Sequence, residues 1–179
     1  MAIEQASLGT PSIGRWEERL LVANRWALIL LLATMAVLVI ANVISRYVFS
    51  YSFTWVEEAT RYMMIWSAFL GAGVALRVGG HIAIDTLPGA LPPRAARLLR
   101  ALIVLVLAVT LLVLIWLGVE YSEFAWEQET PVLGWSFGKV YLAMPIGAAL
   151  MLVHLGLVAR RWIGTGEWEK VEGFDPQAL

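Results

Sequence analysis

Hydrophobic residues fall in four long runs along this chain, and charged residues collect between them. Residues 26–45 hold no Asp, Glu, Lys or Arg over about 20 positions, the length a helix needs to cross a bilayer core. Residues 101–119 form a run of about 19 positions, rich in Leu, Val and Ile, with Thr110 as its polar interruption. Residues 140–159 form another, with Pro145 near its start, where an opened turn or a kink costs little. The run at 62–76 has only about 15 positions, but a helix begun at Thr54 reaches about 23 residues, or roughly 34 Å. The pattern predicts an all-α integral membrane protein with four transmembrane helices, at about 26–45, 54–76, 101–119 and 140–159.

The flanks divide the chain further. Between residues 13 and 24, Ile13, Trp16, Leu20 and Leu21 share one side and Arg15, Glu17, Glu18 and Arg19 lie elsewhere, which predicts a short interfacial helix. Residues 1–25 are then an N-terminal segment, 26–161 a four-helix membrane domain, and 162–179 a tail whose polar part, 164–179, is expected to be largely disordered. A secretory signal would have a shorter apolar core followed by small residues. Here Asn42, Ser45 and Arg46 follow, so the first run reads as a retained span. Pro92 and Pro93 are placed to start the third helix, and Glu120, Glu123 and Glu127 recur at helical spacing, so that helix is expected to project beyond the bilayer before Pro131 and Gly134 turn the chain.

Composition narrows the class. Of 179 residues, 60% are hydrophobic and 15% charged, and the mean hydropathy is +0.74, values of a membrane protein. A net charge of -1 argues against a nucleic-acid partner. With no cysteine, disulfides, thiolate metal sites and a cysteine nucleophile are excluded. Charge placement sets orientation. Arg15, Arg19 and Arg25, the loop arginines Arg77, Arg94, Arg97 and Arg100, and Arg160, Arg161 and Lys170 would share one side, which puts both termini in the cytoplasm of a multi-pass protein. The acidic stretch 120–129 would face outward. Trp26, Trp55, Trp116 and Trp162, near span ends, suit interfacial anchoring.

Chemistry concentrates in the second span. Thr54 and Glu57 have the spacing of a capping box. Glu57 and Glu58 stand four and three residues before Arg61, so the guanidinium is expected between two carboxylates. The same face continues through Met64, Ala68, Gly71 and Ala75, beside a Ser67, Gly71, Ala75 repeat of small residues that suits close approach by another membrane helix. Arg77 ends the run, and His81 and Asp85 follow.

These residues resemble the small membrane subunit of the tripartite ATP-independent periplasmic (TRAP) transporters, the DctQ-like family. The resemblance is carried by Arg46 and Tyr47, the W-V-E-E-A-T-R-Y segment from Trp55, the F-L-G-A-G run from Phe69, and G-H-I-A-I-D ending at Asp85, with a looser likeness over residues 130–151. It implies a bacterial inner-membrane subunit that is not an enzyme and carries no cofactor or metal. Its implied partners are a large polytopic transport subunit, which holds the substrate and sodium sites, and a periplasmic solute-binding protein, with membrane lipid around them. Uptake of organic acids or related solutes would be driven by an ion gradient, with this subunit as a fixed brace. The expected partner interface comprises Arg46, Trp55, Glu57, Glu58, Arg61, Ala68, Gly71, Ala75, Arg77, His81 and Asp85. The acidic stretch 120–129 is a further candidate, for guiding the binding protein.

Two other classes compete. Paired histidines would suit a haem-bearing or structural anchor of a redox complex, but His81 follows the helix-breaking Gly79 and Gly80, while His154 lies inside the fourth span. A hydrogen bond to a neighbouring helix is the plainer role for His154. A homo-oligomeric channel or transporter would need polar lining that the first and third spans lack.

Overall fold

The computed structural model describes residues 15–77 and 91–166. Five helices account for most of them: α1 (Arg15–Phe49), α2 (Thr54–Arg77), α3 (Pro93–Phe124), α4 (Phe137–Tyr141) and α5 (Ala143–Thr165). Three stretches among the described residues are long and apolar enough to cross a membrane: Arg19–Phe49, Pro93–Phe124 and Phe137–Thr165. α2 has 24 residues, about 36 Å, but its early charges and its Ser, Gly and Trp content make it less apolar than these.

The helices form a row in the order α1, α2, α5, α3. α1 packs against α2 alone among the described elements, α2 against α1 and α5, and α5 against α2 and α3. Asn24 of α1 meets Leu70 of α2 and Arg46 meets Glu57, so these two run antiparallel. Phe69 lies against Gly147 and Gly73 against His154, so α2 and α5 run parallel. Gly118 lies against Pro145 and Gly166 against Arg100, so α3 and α5 run antiparallel. One end of the row carries the α1–α2 turn and residues 125–136, here termed the loop end. The other carries Arg94, Arg97, Arg100, Arg160 and Arg161 and is termed the arginine end.

The two seams beside α5 are tight. A Cβ on Gly147 would lie 2.6 Å from Cβ of Phe69, and one on Gly118 would lie 2.8 Å from Cδ of Pro145. Only glycine lets the backbones approach so closely. Leu76, Leu111, Ala148 and Leu155 fill the space between α2, α3 and α5. Trp162 is 1% exposed and packs with Val158 against Ile103, Val104 and Leu107. It is a core residue and not the interfacial anchor its position near a span end suggested. Trp26, Trp55 and Trp116 do lie exposed.

The α1–α2 seam is built differently. The inward positions of α1 include Asn24, Leu28, Leu31, Met35, Leu38, Asn42 and Ser45, in steps of four and three that keep one stripe on a facing helix. Residues 15–24, expected as a separate lead-in, are the first turns of this same helix. Nothing in 22–27 breaks it, since neither Gly nor Pro interrupts.

Other boundaries follow local rules. Pro92 caps α3 and Pro93 takes its first turn, as expected, and the helix continues past the apolar run to Phe124. The fourth hydrophobic stretch is divided: α4 ends at Tyr141, and α5 starts two residues on. Pro145 has no N–H for the Tyr141 carbonyl and its ring crowds it, which accounts for the interruption.

Candidate partner-docking site

α2 is enclosed on two sides and open on a third. Thr54, Glu57, Arg61, Met64 and Ala68 are all exposed, in steps of three and four that keep them on one stripe. Gly71 and Ala75 prolong it half-buried. Met64 is 56% exposed although it lies in the second span's apolar run. Trp55, 41% exposed, stands beside the head of the stripe. Residues 59 and 66 each precede a stripe member by two positions, about 200° around the helix, and so mark the opposite side of the row.

The head of the stripe is tied to α1. Arg46 Nη2 donates to Glu57 Oε1 at 3.1 Å and to Ser52 Oγ at 3.2 Å. Asn42 Oδ1 accepts from the Phe53 N–H at 2.8 Å, which satisfies an amide at the start of α2. Ser50, with φ of 51°, closes the turn in a left-handed conformation. The expected capping box is therefore replaced: Thr54 is already helical, and Glu57 turns toward α1 instead of back to its own helix end.

The expected clamp around Arg61 does not form. Arg61 is exposed and makes no ion pair with a described residue. Glu58 points the other way and is 6% exposed. The Tyr62 hydroxyl donates to its Oε1 at 2.9 Å, and the Val132 N–H donates to its Oε2 at 2.9 Å. The carboxylate thus fastens residues 130–136 onto α2. Thr130, 3% exposed, holds the same segment: its N–H donates to Trp135 O at 2.7 Å, and its Oγ1 accepts from Trp135 N–H at 2.9 Å. Gly134, at φ of 63°, makes the turn. The i,i+4 spacing of Glu58 and Tyr62 was the available sign of this buried pair.

Gly71 lies where the stripe borders α1. A Cβ there would meet Leu28 of α1 at 3.7 Å, an ordinary contact within the chain. The close glycine approaches between the long helices belong to Gly147 and Gly118, and Gly138 of α4 lies as close to Ser122 and Trp126; Ala143 with Gly147, four residues apart, was the signal for the first. Arg77 ends α2, while His81 and Asp85 lie outside the described residues. His154 is fully buried, with its Cδ2 facing Gly73. The described residues contain no group of three or more His, Cys, Asp or Glu placed to hold a metal ion.

Among the described residues this is an all-helical membrane protein whose buried polar side chains fasten one helix or loop to another. The chain belongs to the DctQ component family of the tripartite ATP-independent periplasmic transporters, whose model matches residues 35–164. It is similar to a TRAP transporter small permease protein of Haemophilus influenzae, with 31% identity over 68% of this chain and 75% of the relative. It is also similar to the ectoine TRAP transporter small permease protein TeaB of Halomonas elongata, with 30% identity over 71% and 68%. A 28% identical match to the sialic acid TRAP transporter permease protein SiaT of Haemophilus influenzae covers 64% of this chain but 19% of that larger one.

Proposed function

We propose that this chain is a multi-pass subunit of the bacterial inner membrane that docks through the open stripe of α2 onto a large polytopic TRAP subunit. It braces that subunit while the latter moves solute. α2 serves as the fourth span, a reading supported by its place between α1 and α5, both long and apolar enough to cross. The domain division at 1–25, 26–161 and 162–179 and the cytoplasmic placement of both termini rest on the charge distribution. The loop end then faces the periplasm, where exposed Glu120, Glu123, Glu127 and Glu129 suit the approach of a solute-binding protein. Ion-gradient drive, with sodium as the coupling ion, and an organic acid or related solute belong to the same reading. The SiaT match supports a permease partner, since most of that chain has no counterpart here.

The observation that carries the docking proposal is the exposed stripe on a helix flanked by α1 and α5. Arg61 and Ala68 are central to it, Arg46, Trp55 and Glu57 form its head, and Arg77, His81 and Asp85 extend the proposal past its far end. Glu58 lies on the other side of α2, where it fastens residues 130–136. Arg61→Glu combined with Ala68→Leu is expected to lower co-purification of the large subunit by roughly tenfold, equivalent to about 1.4 kcal/mol. Leu105→Ala, on the exposed side of α3, should leave it unchanged. Full complex yield and full uptake in the double variant would refute the assignment.

A further inference from the structure

On the side of the row opposite the stripe, a groove of about 400 Å³ is lined by Leu31, Ala59, Tyr62, Met63, Trp66, Trp135, Lys139 and Val140. Its walls are aliphatic and aromatic. Its one charge is Lys139, exposed and in no ion pair with a described carboxylate. Lys139 directly precedes the uncharged run 140–159, and Tyr62 begins the uncharged part of α2, with its ring 6.4 Å from that of Phe137 beside Lys139. The mouth therefore lies where the apolar spans meet the charged loop end, the level at which Lys and Trp side chains meet lipid headgroups. Along α2 the groove runs from Ala59 to Trp66, seven residues or about 10 Å. That is too short to seat a membrane helix, which needs about 30 Å.

The geometry points to a phospholipid site. A phosphate from the leaflet at the loop end sits against the Lys139 ammonium, and the glycerol and first acyl carbons lie along Tyr62, Met63 and Trp66. The single cation provides the charge complement, and the aromatic walls provide the apolar contact. The connection 130–136, fastened by Glu58 and Thr130, keeps the Trp135 wall in place.

The test uses the full chain in nanodiscs of phosphatidylethanolamine and phosphatidylglycerol, with a photoreactive benzoylphenylalanine at Met63. Illumination followed by intact-mass measurement should show an adduct of one phospholipid. Lys139→Glu should lower its yield by roughly fivefold or more, the factor one basic residue contributes at an anionic surface. Lys139→Arg should retain it, and a probe at exposed Val109 of α3 should be indifferent to both changes. A yield unmoved by Lys139→Glu would show bulk lipid only and overturn the site, as would capture of another polypeptide at Met63. Because this readout needs no large subunit, it separates from the docking proposal.

Discussion

The two edges of the helix row are held by opposite means. α3 is joined to α5 by close backbone approach, with Gly118 against Pro145 and Trp162 buried between Val104 and Leu107. α1 is joined to α2 by side-chain ridges and by polar fastenings near the two ends of the seam, Asn24 to Leu70 at one and Asn42 and Arg46 at the other. In hydrocarbon, apolar side chains gain little by leaving lipid for one another, so association depends on packing density and hydrogen bonds. The α3 edge draws on the first and the α1 edge on the second. Most of α1 is left facing outward, from Val22 to Phe49.

The largest effect should come from Gly147, where the tight region begins. Gly147→Leu drives a branched side chain into Phe69, and the expected result is loss of the folded monomer peak in detergent. Even Gly147→Ala, whose added carbon would come within 2.6 Å of Phe69 Cβ, is expected to cost about 1–3 kcal/mol. Gly71→Ala on the α1 side should instead be neutral or stabilising by up to about 1 kcal/mol, because the new methyl meets Leu28 at 3.7 Å and alanine favours the helix. Thermal unfolding followed by tryptophan fluorescence would compare them. Equal losses at both glycines would contradict the contrast between the tight seams beside α5 and the looser α1–α2 seam.

That reversal marks what the sequence could convey. Runs of apolar residues located the four long helical segments, and prolines 92 and 93 located the start of α3. Such features depend on local composition. Which small residue serves an internal seam depends on the neighbour it meets: Gly71 meets Leu28 at an ordinary distance, Gly147 meets Phe69 closely. The same holds for the adjacent acids. Glu57 and Glu58 both lie within reach of Arg61 along the helix, yet Glu57 finds Arg46, 11 residues away, and Glu58 finds Val132, 74 residues away. The exposed stripe through Arg61, Met64 and Ala68 was legible because it is a property of one helix. The groove on the other side, which joins α1, α2 and residues 135–140, was not.

Intermediate effects should come from the polar fastenings of α1. Asn42→Ala removes the acceptor from the Phe53 amide, for an expected loss of about 1 kcal/mol, typical of a helix-start acceptor. Asn24→Ala removes a bond to the Leu70 carbonyl, which already serves its own helix, and membrane bonds of this type average about 0.6 kcal/mol. Residues in α1 should become more open to protease before global unfolding in both variants. Unchanged cleavage in the two would mean that the ridges alone hold this edge.

The smallest effect should be that of the ion pair, although it is the most visible polar contact between α1 and α2. The side chains of Arg46 and Glu57 are 53% and 63% exposed. Water and salt weaken such a pair, so swapping the partners, with Arg46→Glu and Glu57→Arg together, should shift stability by no more than about 0.5 kcal/mol. The same swap inverts the charge at the head of the open stripe. If that head meets a charged partner, complex yield should fall while thermal stability of the isolated chain stays put, and each single reversal should reduce yield as well. A swap that destabilised the isolated chain as strongly as Gly147→Ala would make the pair a true fastening of the α1 edge and erase the division of labour between α1 and α3.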